Sequence, residues 1–145
     1  MTNLLNKVIK LTLAAMLLIA GQVAYAGVAV ITHPGVTEIG LSKDKLTEIY
    51  LGKMKSFSNG TRVQAVDLPK RSEAHKKFYK VVVQMTDSEM NRYWAKLKYT
   101  GKGKPPKQLD TDEEVKSWVA NNPGAVGYID GKYLDKSVKV VLIIP

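Results

Sequence analysis

Four short runs of apolar, largely β-branched residues frame what this chain can become: Gly27 to Thr32 (GVAVIT), Arg62 to Leu68 (RVQAVDL), Ala125 to Ile129 (AVGYI) and Val138 to Ile144 (VKVVLII). Each has the length and residue types of a buried strand. His33-Pro34-Gly35 closes the first run, Pro69 stops the second and Asp130-Gly131 turns the chain after the third. In the second run Val63 and Ala65 take one parity while Val66 and Leu68 take the other. That pattern predicts burial on both faces, as in a covered parallel sheet.

The stretches between these runs carry helical signals. Leu46, Ile49 and Tyr50 fall at i, i+3, i+4 after Ser42, and Gly52 sits where a helix ends, so a helix is predicted over about 43–51. Ser72 is a good N-cap for Phe78, Val81, Val82 and Met85. Thr86-x-x-Glu89 and Thr111-x-x-Glu114 are capping boxes. The first precedes Met90, Tyr93, Trp94 and Leu97, and the second precedes Val115, Trp118 and Val119. Both tryptophans lie on apolar stripes and are expected to be largely buried. Lys102 to Lys107 reads as a loop. The order is β-α-β-α-α-α-β-β, which predicts an α/β fold with a mainly parallel sheet flanked by helices.

The chain has 145 residues, enough for one ordinary domain. Residues 1–26 read as a secretory signal peptide: Lys7 and Lys10 give a positive start, Leu11 to Gly21 an apolar segment too short to span a bilayer, and Ala24-Tyr25-Ala26 a cleavage site before Gly27. Removing that segment leaves residues 27–145 as the domain and takes away two lysines and no acidic residue. The formal net charge of the whole chain is +9, from 22 Lys+Arg and 13 Asp+Glu. Anionic solutes, anionic lipid head groups and cell-wall polymers are therefore open as partners, and nucleic acid is a poor one for an exported protein. With no cysteine and two histidines, the chain has no disulfide framework, no thiol nucleophile and little from which to build a metal site. No cofactor motif is present: no P-loop, no H-E-x-x-H and no dinucleotide glycine pattern.

Ligands of open α/β sheets gather outside the carboxyl ends of strands. Two such ends are polar here. The first run ends at Thr32-His33. The second ends at Asp67 and leads through Leu68-Pro69-Lys70-Arg71 to Ser72. A helix start there would offer free backbone amides and a partial positive charge to an oxyanion, with a hydroxyl from Ser72 and a guanidinium from Arg71. The candidate oxyanion site is therefore Arg71, Ser72, the amides of Glu73 and Ala74, and His33. The same residues also fit a plain helix cap beside a solvated Lys-Arg pair. His75 is expected to face solvent. Ser72 and His75 lack a G-x-S-x-G setting, so the chain is not read as an enzyme. Asp110, Asp112, Glu113 and Glu114 occupy a helix start, where carboxylates complement the dipole.

Several segments carry a family resemblance. LSKDKLTEIYLGK (41–53) resembles the L-S-x-x-x-L-x-x-I-F-x-G-K segment of the periplasmic phosphate-binding proteins of ABC transporters. Asn59-Gly60 and Val63 to Val66 are similar to the N-G turn and strand that follow it, and Ser72 to Phe78 to the S-G-T-x-x-x-F helix start. Tyr93-Trp94, YTGKGKPP (99–106) and VANNPGAVGYI (119–129) are similar to small relatives in that group. The resemblance implies about one lobe of a type 2 periplasmic-binding-protein-like fold and an exported, periplasmic, solute-binding role. It places Ser72 on the family's Ser, Glu73 and Ala74 where the family has Gly-Thr, and Leu68 where it has Arg. It implies phosphate or a similar oxyanion as ligand. A membrane transporter, a sensor protein or a second copy of the chain is the macromolecular partner it allows. The competing reading is a non-catalytic interaction module that keeps the lobe and has lost ligand capture.

Overall fold

The computed structural model describes residues 2–4, 7 and 25–145. Apart from those few N-terminal positions, the export signal read in residues 1–26 lies outside the described residues. The elements are β1 (Val28–Thr32), α1 (Lys43–Tyr50), β2 (Gln64–Asp67), α2 (Glu73–Phe78), a π-helical continuation Tyr79–Val83, α3 (Asp87–Tyr99), β3 (Lys107–Gln108), α4 (Asp112–Asn121), β4 (Ala125–Asp130), a single 3-10 turn Gly131–Tyr133, and β5 (Lys139–Ile144). The strands form one sheet in the order β3-β2-β4-β1-β5. β2 runs parallel to β3 and β4, whereas β1 runs antiparallel to β4 and β5. All strands but β1 therefore share one direction, and with two parallel and two antiparallel pairings the sheet is mixed, in an α/β fold.

The helix ends follow from their local chemistry. Ser42 Oγ accepts from Lys45 N at the start of α1. At its end, Lys53 N donates to Glu48 O and Gly52 N to Ile49 O, the paired bonds of a Schellman turn. Gly52 has φ +70°, a left-handed conformation that favours glycine. Thr86 and Glu89 form a full capping box on α3. On α4 only half of the predicted box forms: Thr111 Oγ1 accepts from Glu114 N, but the Glu114 carboxylate turns to Asp110 N at 2.9 Å.

The sheet core is built around β1 and β4. Every residue of β1 is buried, and Ala125 to Ile129 of β4 are buried as well. Gly127 explains how close α4 comes to one face. A Cβ there would lie 2.8 Å from Val115, 3.0 Å from Val66 and 3.1 Å from Val119. Both valines of α4 are fully buried. Tyr50, Phe78, Tyr79 and Tyr128 make an aromatic cluster, with Phe78 and Tyr128 stacked at 4.1 Å.

Four expectations need correction. β2 is shorter than the apolar run around it, and only Val66 within it is buried, because β3 covers just its carboxyl half. Lys107, placed in a loop by its sequence, is in a strand: Lys107 and Gln108 pair with Val66 and Asp67 through backbone groups alone. Trp94 and Trp118 are half-buried and line an open groove, because α3 buries only Met90 and α4 turns Val115 and Val119, rather than its indole, into the core. His75 is buried, at 5% exposure, under the ring of Tyr79.

Candidate functional site

The chain leaves β2 at Asp67 and turns before α2. Leu68 and Pro69 are buried, while Lys70 and Arg71 are exposed. Ser72 N donates to Pro69 O at 2.9 Å, which closes the turn. Ser72 then caps α2, its Oγ accepting from His75 N at 3.4 Å. Lys76 N donates to Ser72 O at 3.1 Å. The amides of Glu73 and Ala74 are the ones that have no partner among the described residues, as expected at a helix start. Arg71 is in no ion pair among the described residues, and Lys70 Nζ donates to Asn91 Oδ1 at 2.8 Å. Glu73 is exposed and paired with Lys76 at 3.0 Å. Arg71, Ser72, Glu73 and Ala74 are thus one contiguous corner at the carboxyl end of β2.

His33 is not part of that corner. β1 runs opposite to β2 and β4, so its carboxyl end lies at the amino end of β4, where His33 N donates to Ala125 O at 3.1 Å. Its Nδ1 accepts from Gly35 N at 2.9 Å, which stabilises the turn after β1. Two carboxyl ends share a side of a sheet only when their strands are parallel, and that was the missing information.

Behind the corner lies a buried polar network built on Asp67. Its carboxylate accepts from Tyr79 OH at 2.6 Å, from Leu68 N at 2.9 Å and from Tyr128 OH. His75 Nδ1 lies 3.2 Å from the same carboxylate and 3.0 Å from Leu68 O. Both neighbours are acceptors, so the proton is assigned to Nδ1. Nε2 then has no hydrogen-bond partner among the described residues and sits 3.8 Å from Asp87 Oδ1. Burial first, then the Asp67 charge, pushes the Tyr79 and Tyr128 phenols far above the usual tyrosine range, so both stay neutral donors. A cavity of about 310 Å³ opens beside this network, with Asp67, Lys70, His75 and Asn91 in its wall.

The network fixes the corner without offering it a base. Ser72 Oγ accepts from the backbone of His75, while the imidazole turns away to Asp67. What the corner presents outward is a hydroxyl, free amides and cationic side chains, the donor set for an oxyanion. Sequence reasoning placed Asp67 at a strand end and missed its role as an anchor. The signal was there: one carboxylate between Val66 and Leu68, with His75 and Tyr79 four residues apart on one helix face.

In an α/β domain, polar groups at a strand's carboxyl end and the following helix start mark a place where ligands can gather. Comparison with known proteins makes the class specific. The phosphate-binding protein PstS of Bacillus subtilis (strain 168) is 31% identical over 124 residues, covering 83% of this chain and 36% of that protein. A structure from Clostridium perfringens, described as a phosphate ABC transporter substrate-binding protein with bound phosphate, matches with a TM-score of 0.65 and 25% identity over 81% of this chain and 45% of that one. An ABC-type phosphate transport receptor from Vibrio cholerae shares the fold, with a TM-score of 0.62 and 22% identity over 81% and 46% of the two chains. No family model matches. In sequence and fold the chain is similar to part of phosphate ABC transporter substrate-binding proteins, and its α/β domain has their fold. It spans less than half the length of each of these relatives.

Proposed function

We propose that this chain is an exported solute-binding protein that holds phosphate or a similar oxyanion at the start of α2 and serves a membrane transporter. Arg71 supplies a charge-assisted pair, Ser72 a hydroxyl, and Glu73 and Ala74 their backbone amides. The observation that carries this reading is the exposed Arg71, in no ion pair among the described residues, beside two amides without partners there, at the carboxyl end of β2. The Asp67 network behind it keeps the corner rigid, so the donors need little reordering to meet an anion. The Glu73 carboxylate works against capture, and Lys76 balances part of its charge.

Titration calorimetry with phosphate tests the proposal. Arg71→Ala is expected to weaken binding roughly ten- to a hundredfold. Glu73→Gly is expected to tighten it. Absence of phosphate or sulfate binding in both the native protein and Glu73→Gly would overturn the anion site. Export is tested separately, by N-terminal sequencing of the secreted protein, which is expected to begin at Gly27.

One observation favours a second reading, the interaction module. Leu68, where the sequence resemblance places an Arg of the phosphate-binding proteins, is 1% exposed and packed into the core. Negative calorimetry in both proteins would leave the lobe as a docking unit for a transporter or sensor.

A further inference from the structure

A second surface, at the amino-terminal half of β2, has different chemistry. An open groove of about 780 Å³ runs between the end of α1, the carboxyl half of α3 and the loop that leads into β3. Lys55, Arg62, Lys102, Lys104 and Lys107 stand around it, and no acidic residue lines it. All five are exposed, and none is in an ion pair among the described residues. The groove surface between them is apolar: Met54, Val63, Leu97 and Pro106 are half-buried there, and Pro105 is exposed. An apolar centre with a charged rim is the anatomy of a protein interface.

We infer that this groove is a docking site for an acidic protein segment, one that alternates carboxylates with leucine- or phenylalanine-type side chains. Charge complementarity selects the acidic partner: five uncompensated cations attract it and steer its approach. The apolar floor selects a polypeptide. Single-stranded nucleic acid and sugar rings call for open aromatic faces, and the two indoles here are engaged. Lys107 Nζ lies over Trp118 at 5.5 Å, and the six-membered ring of Trp94 rests against Gly52 and Gly103. A flat lipid surface would not reach the floor of a concave groove. The inference does not rest on the anion site, from which it differs in both residues and ligand.

The test is fluorescence anisotropy of the full chain with a short labelled peptide of alternating glutamate and leucine. Saturable binding that weakens as salt rises is expected. Lys104→Glu with Lys107→Glu, two exposed positions, is expected to weaken it about tenfold or more, with an unchanged circular dichroism spectrum and melting temperature. Lys136→Glu, outside the groove, is expected to leave it unchanged. A peptide of alternating glutamate and serine should bind at least about tenfold more weakly, because the floor is apolar. Equal binding of the serine peptide, indifference to the double reversal, or no binding of the leucine peptide would each overturn the proposal. Stronger binding of oligodeoxythymidine, heparin or anionic vesicles than of the leucine peptide would overturn it as well.

Discussion

α3 and α4 begin with the same sequence signals and end in different places. Each opens on a Thr-x-x-Glu box, and each carries an apolar stripe that includes a tryptophan. α4 lies across the sheet, with Val115 and Val119 fully buried against Gly127. α3 buries Met90 alone and is held to the end of α1 by Tyr93 OH donating to Leu51 O at 2.6 Å. The difference lies in the sheet. Gly127 is a gap in the side-chain layer of β4 that admits a helix, whereas an open groove lies between Trp94 and Leu97 of α3 and the amino half of β2, which β3 does not reach. A stripe at helical spacing states which face of a helix is apolar. What that face meets is decided by the surface opposite.

The largest expected effect removes the gap. Gly127→Val places a branched side chain where even a Cβ is within 2.8 Å of Val115 and near two further valines. None of these is the far end of a flexible side chain, so α4 must shift outward, at a cost of about 3 kcal/mol or more. Urea denaturation of the purified variant measures it. A loss below about 1 kcal/mol would mean that α4 is not seated on β4 as described.

Trp94→Ala is next. A fully buried tryptophan truncated to alanine costs roughly 3–5 kcal/mol. Trp94 is half-buried in a groove, so about 1–2 kcal/mol is expected. A value in the upper range would show that α3 shields its indole in solution and that the groove is closed.

How far the sequence could be read follows the same division. Strand runs, caps and the Gly52 helix end were legible, because each depends on a few adjacent residues. β3 was not: Lys107 and Gln108 have no strand pattern and pair because Val66 and Asp67 offer free backbone groups. The π-helical segment was not legible either. Gln84 N donates to Tyr79 O at 2.7 Å in place of the α-helical bond, and Thr47 Oγ1 donates to Val82 O at 2.9 Å from across the core. At the candidate site, Ser72 and Arg71 could be picked out from the strand end and the cap. His33 was misjudged because strand direction is non-local. Asp67 was underrated because its partners, Tyr79 and Tyr128, come from another helix and another strand.

The two caps sharpen the comparison by a smaller amount. Thr86→Ala removes the hydroxyl that accepts from Glu89 N and donates to the Glu89 carboxylate, leaving only the Thr86 N–H bond of the box, and is expected to cost about 1 kcal/mol; Thr111→Ala removes one bond and should cost less. Thermal melts of the two variants side by side give the order. The reverse order would show that tertiary seating, rather than the box, decides how much a cap contributes.

The smallest effect concerns the outer face of α4. Lys116 reaches from it to Asp135 at 2.8 Å and Glu113 at 3.2 Å, and donates to Tyr133 O at 2.9 Å. No comparable clasp holds the outer face of α3 among the described residues. Lys116 and hydrogen bonds from Ser137 hold the Asp135 carboxyl at about 2, below its ordinary 3.8, while Asp135 raises the Lys116 ammonium above its usual value. A carboxylate whose pKa is lowered on folding stabilises the fold above its unfolded value and loses that contribution as pH falls through the folded one. The lysine's contribution is complete below its unfolded value and fades as pH rises through the folded one. The Asp135 side chain is 47% exposed, so solvent screening limits the pair to about 0.2–1 kcal/mol. Asp135→Asn should therefore lower stability at about pH 6 by that amount, with the difference from the native protein shrinking as pH falls through about 2. A pH-independent difference would show that the ionised Asp135 carboxylate, whether paired with Lys116 or bonded to Ser137, carries none of the contribution.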